Sequence, residues 1–277
     1  MRTVILPSGE TVPALGMGTW RMGESMARRA EEIETLRLGL KLGVTLIDTA
    51  EMYGEGRTED LVGEALDHRR DQAFVVSKVY PHNASRSGAT AACERSLRRL
   101  RTDRIDLYLL HWRGTVPLEE TMEAFTTLQR KGKIRYYGVS NFDVDDMNEW
   151  WRVQGGSSIA TNQLLYNLQR RGIEWDLLPW LRERRVPIMA YSPIEQGRLT
   201  HEKRLATVAR SSGLTAAQVA LAWLFSSNDI IVIPKTSSPS RLQENLRALN
   251  HKLTPDQLAE LDRLFPPPSR RQPLEMI

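Results

Sequence analysis

A chain of 277 residues, 41% hydrophobic and 26% charged with no biased tract, is long enough to bury a large apolar core. Its 38 Lys and Arg against 34 Asp and Glu leave a formal charge of +4, scattered along the chain. That small excess argues against a nucleic-acid interface and is compatible with an anionic cofactor. No apolar run approaches the roughly 20 residues that span a bilayer, so no membrane association is expected.

Residues 2–12 read as two short strands around Pro7-Ser8-Gly9, and the apolar start Val4-Ile5-Leu6 stops there without the pattern of a secretory leader. Eight apolar, unalternating runs then follow: Leu15–Gly18, Val44–Ile47, Phe74–Ser77, Asp106–Leu110, Ile134–Val139, Ile159–Asn162, Val186–Ala190 and Ile230–Ile233. Their β-branched character predicts parallel strands buried on both faces. Between them lie helical stretches with readable starts. Asp143 is placed to cap residues 144–152, and Thr215 with Gln218 and Thr254 with Gln257 match the capping box, with Pro255 at the first helical position. The lone Cys93 falls in a helical stretch as a packing residue; it cannot form an internal disulfide, and a reduced, cytoplasmic setting is expected.

Strand and helix alternating eight times close most naturally into a (β/α)8 TIM barrel, here one domain over residues 1–277 with a tail from about Pro266. The competing doubly wound sheet would carry G-x-G-x-x-G after its first strand. Gly16-Met17-Gly18-Thr19-Trp20-Arg21 lacks the third glycine.

In a barrel the site lies at the carboxyl ends of the strands, so the informative residues are the polar ones that end the apolar runs. The second run delivers Asp48, the third Lys78 and the fourth His111, while Tyr53 follows Asp48 by five residues and precedes Gly54. Singly, each has a plainer role: a helix cap, a snorkelling lysine, a buried histidine, a packed turn aromatic. Together, an acid, a phenol, an amine and an imidazole converging on one concave site point to protonation of a substrate oxygen. Lysine would stabilise the phenolate and lower a phenol pKa normally near 10, the carboxylate would hold the lysine, and the imidazole would polarise the oxygen. No metal is expected.

The segment Asp48-Thr49-Ala50-Glu51-Met52-Tyr53-Gly54, with Lys78 and Leu110-His111-Trp112, resembles the signature of the aldo-keto reductase superfamily, and the resemblance runs from Gly16 to about Asn250. It implies that Tyr53 donates a proton, Asp48 and Lys78 tune it, and His111 orients a carbonyl. It also implies NADP(H), with NAD(H) weaker, bound across the barrel mouth. In that arrangement Ser140, Asn141 and Gln163 hold the carboxamide, and Tyr191 stacks under the nicotinamide at the head of Tyr191-Ser192-Pro193-Ile194. The loop Gln196-Gly197-Arg198-Leu199 crosses the pyrophosphate.

After Gly18, Thr19 would reach the nicotinamide ribose, and Trp20 would line the substrate pocket unless it simply packs, with Tyr80 and Trp112 as further wall residues. The run from Ile233 through Lys235, Thr236, Ser237 and Ser238 opens a helix near Pro239. Lysine, hydroxyls and a helix N-terminus there suit a phosphate, and Arg241 adds charge for a 2′-phosphate. Glu244 and Asn245 correspond to the adenine contacts.

Two departures resemble a bacterial-type, broad-specificity branch: Gln163 is followed by Leu164-Leu165-Tyr166-Asn167-Leu168, and the tail after Phe265 is short. The expectation is a monomeric reductase with a relatively open site for small aldehydes, 2-oxoaldehydes or diketones. Two alternatives are a cofactor-binding regulatory subunit on the same fold and a barrel lyase using Lys78 as a Schiff-base nucleophile.

Overall fold

The structure is a computed structural model and describes residues 1–277. Strands β1 (Thr3–Ile5) and β2 (Thr11–Pro13) pair antiparallel, with Val4 opposite Val12 and both side chains buried. Glu10 of this hairpin accepts from the Tyr136 hydroxyl and pairs with Arg135, both 2.5 Å away near the start of a barrel strand. The hairpin therefore sits at the amino-terminal ends of the strands.

The barrel strands are β3 (Gly16–Gly18), β4 (Leu46–Asp48), β5 (Phe74–Val79), β6 (Ile105–Leu110), β7 (Ile134–Ser140), β8 (Asn162–Leu165), β9 (Ile188–Tyr191) and β10 (Ile230–Val232), and every neighbouring pair is parallel. Parallel bridges at Leu15–Val232 and Gly18–Lys235 close the ring. The Gly18 N–H donates to Pro234 O at 3.1 Å, and the Val232 N–H to Ala14 O at 2.8 Å. A Cβ on Gly18 would lie 2.8 Å from Ile233 O, so only glycine permits this approach.

All eight strands overlap their apolar runs, the sixth by Asn162 alone. The sixth was expected over Ile159–Asn162, but β8 covers Asn162–Leu165. Polar residues hid it. Asn162 and Gln163 are buried, and their side chains bond inward, Asn162 Nδ2 to Phe142 O at 2.9 Å and Gln163 Nε2 to Asp48. Gln163 is thus a strand residue and not the residue after one.

Helices α1 (Arg29–Lys41), α2 (Arg57–Ala65), α3 (Arg86–Leu100), α4 (Leu118–Arg130), α5 (Val144–Arg152) and α6 (Leu177–Glu183) follow β3 to β8 in turn. Helices α7 (Leu205–Ser212) and α8 (Ala216–Leu224) follow β9, and α9 (Pro239–Leu249) and α10 (Pro255–Leu264) follow β10. The three anticipated caps are present: Asp143 opens α5, Thr215 with Gln218 opens α8, and Thr254 with Gln257 opens α10. Cys93 is buried in α3. Barrel and helices share one connected core of 75 buried residues, so no apolar seam separates one part of the chain from another. No helix is long and apolar enough to cross a membrane.

The tail does not hang free. Arg271 pairs with Asp145 at 3.2 Å and Asp176 at 3.0 Å, Glu275 pairs with Arg170, and the Ile277 backbone meets the Tyr191 hydroxyl. Between this segment and the loops after β7 and β8 lies a cavity of about 320 Å³, lined in part by Val144, Leu165, Ile173 and Leu274. The tail crosses back onto the rim of the barrel mouth.

Candidate active site

Asp48 ends β4, Lys78 lies on β5 and His111 follows β6, so three adjacent strands present them at one end of the barrel. Lys78 is fully buried, a position that an ammonium tolerates only when its donors are satisfied. All three are: Nζ lies 2.9 Å from Asp48 Oδ2, 2.8 Å from Thr49 O and 3.2 Å from the Tyr53 hydroxyl. The other Asp48 oxygen accepts from Gln163 Nε2 at 2.7 Å. The His111 ring stands edge-on to Tyr53, with centroids 5.9 Å apart.

These contacts set the proton affinities. Burial lowers the Lys78 pKa, but Asp48 and Tyr53 outweigh it and raise the ammonium pKa, so the lysine stays charged. Tyr53 departs from the sequence argument. Burial raises its pKa above 10 and outweighs the opposing pull of Lys78. The lysine acts in the expected direction, but the net direction is reversed because desolvation is not visible in a sequence. Burial, then the Lys78 charge, hold His111 well below the usual imidazole range, so the ring is neutral, and its Nδ1 has no partner.

A second cluster lines the neighbouring strand ends. Tyr191 donates to Asn141 Oδ1 at 3.0 Å, Asn141 Nδ2 reaches Ser140 Oγ and His111 O at 3.1 Å each, and Ser140 Oγ donates to Gln163 O at 2.9 Å. The residues expected around a carboxamide and under a planar ring are therefore joined to each other and to the His111 backbone. Gln163 is the exception in one respect, since its amide nitrogen is occupied by Asp48.

On the opposite wall the Trp112 ring lies 4.9 Å from His111 and 5.8 Å from Tyr80, which stacks on His82. Trp20 is 36% exposed with the Arg21 guanidinium 4.3 Å from its ring centre, so it is a surface aromatic and not a packed one. Thr19 is buried, and its hydroxyl donates to Asp48 O at 2.7 Å.

Beyond β9 the backbone turns left-handed at Ser192 and again at Glu195, Gln196 and Gly197. Pro193, Leu199 and Ile233 are buried, so they can offer backbone but little side chain, whereas Ile194 is half-buried. After β10, Lys235 Nζ donates to Ser237 Oγ at 2.8 Å, and burial together with the Arg28 charge lowers its pKa. Helix α9 begins at Pro239, and its cap residue Ser238 makes no side-chain capping bond, which leaves first-turn N–H groups free. The Thr236 hydroxyl accepts from Ser238 N at 3.1 Å, and Arg241 is exposed. Glu244 accepts from the Thr215 hydroxyl at 2.7 Å, so it also braces the start of α8. Asn245 is buried one residue on.

Several supporting residues escaped the sequence reading. Glu51 is buried and accepts from Tyr80 N at 2.9 Å, Asn83 Nδ2 at 3.0 Å and Arg95 Nη2 at 3.2 Å, tying the Tyr53 loop to the end of β5. Asn167, Arg170 and Glu195 form another cluster, in which both Asn167 and Arg170 donate to the Glu195 carboxylate. Only the acidic residue inside the Asp48–Tyr53 segment gave any signal; the rest depend on tertiary proximity.

A (β/α)8 barrel with this tetrad at its mouth defines the class, and residues 14–265 match the aldo/keto reductase family, to which the chain belongs. Methylglyoxal reductase YeaE of Escherichia coli (strain K12) is 48% identical over 272 residues, covering 96% of each chain. An aldo/keto reductase from Klebsiella pneumoniae, solved in complex with NADP and acetate, has a TM-score of 0.97 at 46% identity and covers 100% of both chains. A second structure from that organism, in complex with NADPH, has a TM-score of 0.97 at 47% identity, covering 100% of this chain and 99% of the other.

Proposed function

We propose that this chain reduces the carbonyl group of small aldehydes and ketones at the expense of NADPH, with Tyr53 as proton donor. The observation that carries the reading is Lys78 Nζ, held at once by Asp48 and Tyr53 in a fully buried site. NADPH supplies the hydride when bound. The Tyr53 hydroxyl then delivers its proton to the carbonyl oxygen as charge grows there, and the Lys78 ammonium stabilises the phenolate left behind. Asp48 keeps that ammonium in place, and the neutral His111 polarises the same oxygen without competing for the proton.

The chain has groups that suit the cofactor. Free N–H groups at the start of α9, with Lys235 and Arg241, suit the 2′-phosphate; Ser140, Asn141, Gln163 and Tyr191 suit the nicotinamide; and Gln196 to Leu199 suit the pyrophosphate. The walls made by Trp20, Tyr80 and Trp112 favour small substrates, and a methylglyoxal reductase among the relatives favours 2-oxoaldehydes, with diketones next. One domain acting as a cytoplasmic monomer completes the reading. The complete tetrad gives no reason to prefer a regulatory subunit, and a lysine kept protonated by two partners is a poor Schiff-base nucleophile.

The test is NADPH oxidation over a panel of small aldehydes, 2-oxoaldehydes and sugars, repeated with NADH and with Tyr53→Phe. The expected result is 2-oxoaldehyde turnover that falls about 10²- to 10⁴-fold in Tyr53→Phe while NADPH still binds. Turnover of the variant near that of the unmodified chain overturns the assignment.

A further inference from the structure

The loop proposed to cross the pyrophosphate has an unusual support. Three consecutive residues, Glu195 (φ 50°), Gln196 (φ 53°) and Gly197 (φ 93°), lie in the left-handed region, and two of them carry a Cβ that disfavours it. Such a corner persists only where its surroundings impose it. Glu195 is fully buried, and its carboxylate is the anchor. Oε1 accepts from Arg170 Nε at 3.1 Å, Arg170 Nη2 at 3.0 Å and Arg198 Nη2 at 2.6 Å, while Oε2 accepts from Asn167 Nδ2 at 2.7 Å. Burial pushes the Glu195 pKa up, but Arg170 and Asn167 overcome it and hold the group ionised.

The two arginines are not equivalent. Arg198 is 62% exposed and Arg170 31%, so the Arg170 contact is the less screened of the two. Arg170 also has a second carboxylate, since its Nη1 pairs with Glu275 of the tail. One guanidinium rising from the loop after β8 therefore joins the β9 corner to the C-terminal segment. That segment ends against Tyr191, at the head of the same loop.

We infer that Arg170 is a positioning residue for the cofactor, fixing the Glu195–Gly197 corner and transmitting to it the seating of the C-terminal segment. The inference rests on the proposed NADPH site. It assigns Arg170 no contact with substrate. Its effect is on the shape of the loop, and so on cofactor affinity before turnover.

NADPH and NADH affinities are measured by fluorescence on the intact chain, together with kcat at saturating NADPH and thermal stability, for Arg170→Met, Arg170→Lys, Glu275→Gln and the double variant Arg170→Met/Glu275→Gln. Loss of the shielded partner of a buried carboxylate is expected to raise the NADPH Kd about 10- to 100-fold in Arg170→Met while kcat changes less than about threefold. Arg170→Lys, a point charge without the fork, recovers part of that loss. Glu275→Gln removes a half-exposed pair and weakens NADPH about two- to fivefold. The double variant matches Arg170→Met, because Glu275 acts only through Arg170.

An unchanged Kd in Arg170→Met, a fall in kcat and stability without a change in Kd, or additive losses in the double variant would each overturn the inference. Failure of the unmodified chain to bind NADPH would instead overturn the cofactor reading itself.

Discussion

Replacing Lys78 by methionine separates what the buried ion pair does for folding from what it does for chemistry. Lys78 and Asp48 are essentially without solvent contact, so screening gives no discount. At 2.9 Å and an effective dielectric of about 20, their attraction is roughly 6 kcal/mol. Most of that offsets the cost of burying the two charges. Removing the lysine alone leaves the Asp48 carboxyl without its counter-charge in a dry site, with only the Gln163 amide facing it. Breaking one side of such a pair costs about 3–5 kcal/mol of stability. Asp48→Asn in the same chain removes the stranded charge, and stability should return to within about 1–2 kcal/mol of the parent, the remaining deficit being the lost ammonium bonds to Thr49 O and the Tyr53 hydroxyl. Turnover should not return, because the phenolate has lost its stabilising ammonium; a deficit of about 10² to 10⁴ should appear in both variants. Urea unfolding midpoints beside NADPH-dependent reduction of a small aldehyde read the two quantities independently. If the double variant regained activity in step with stability, Lys78 would be a packing element and the proposed mechanism would fail.

Three further expectations follow from the same geometry. Burial and Lys78 keep the folded pKa of His111 well below its ordinary 6.5, so the unfolded chain takes up a proton that the folded one refuses as pH falls. Stability should therefore drop on acidification below pH 6.5 by up to about 1.4 kcal/mol per pH unit from this group, and the slope should flatten in His111→Gln; equal slopes would contradict it. Lys235→Met should raise the Kd for NADPH at least about tenfold while changing that for NADH several-fold less, because only one carries the 2′-phosphate; equal weakening would mean that this lysine does not read it. Burial pushes the Cys93 thiol up to about 12, so a thiol reagent at neutral pH should label it only after unfolding, and rapid labelling of the folded chain would refute its packing role.

The barrel was legible because parallel strands buried on both faces read as apolar runs, and the four tetrad residues because each lies at or near the end of one. That rule also shows its own limit. Asn162 and Gln163 are polar residues within a strand, bonded inward to Phe142 O and Asp48, and a search for apolar runs ends the strand where these two residues begin it. Electrostatics were legible in sign but not in balance. Lys78 does favour the Tyr53 phenolate, yet burial, which no sequence displays, outweighs it. Supports built from distant segments left no trace: Arg170 and Glu275 are 105 residues apart and meet only because the tail crosses the rim. Conversely, the caps of α5, α8 and α10 are local patterns, and all three were read correctly.

The seam between β3 and β10 bears on how the molecule holds together. The ring is completed by backbone contacts between segments more than 200 residues apart, made close by Gly18, with no long ladder to reinforce them. Closure of this kind carries a heavy chain-entropy cost and belongs late in folding, after the neighbouring strands have already paired. Thr19 and Lys235, both proposed to meet the cofactor, stand on opposite sides of that seam. A dinucleotide lying across the two would act as a removable staple between the first and last staves of the barrel, so the empty protein should breathe there first and the loaded one least.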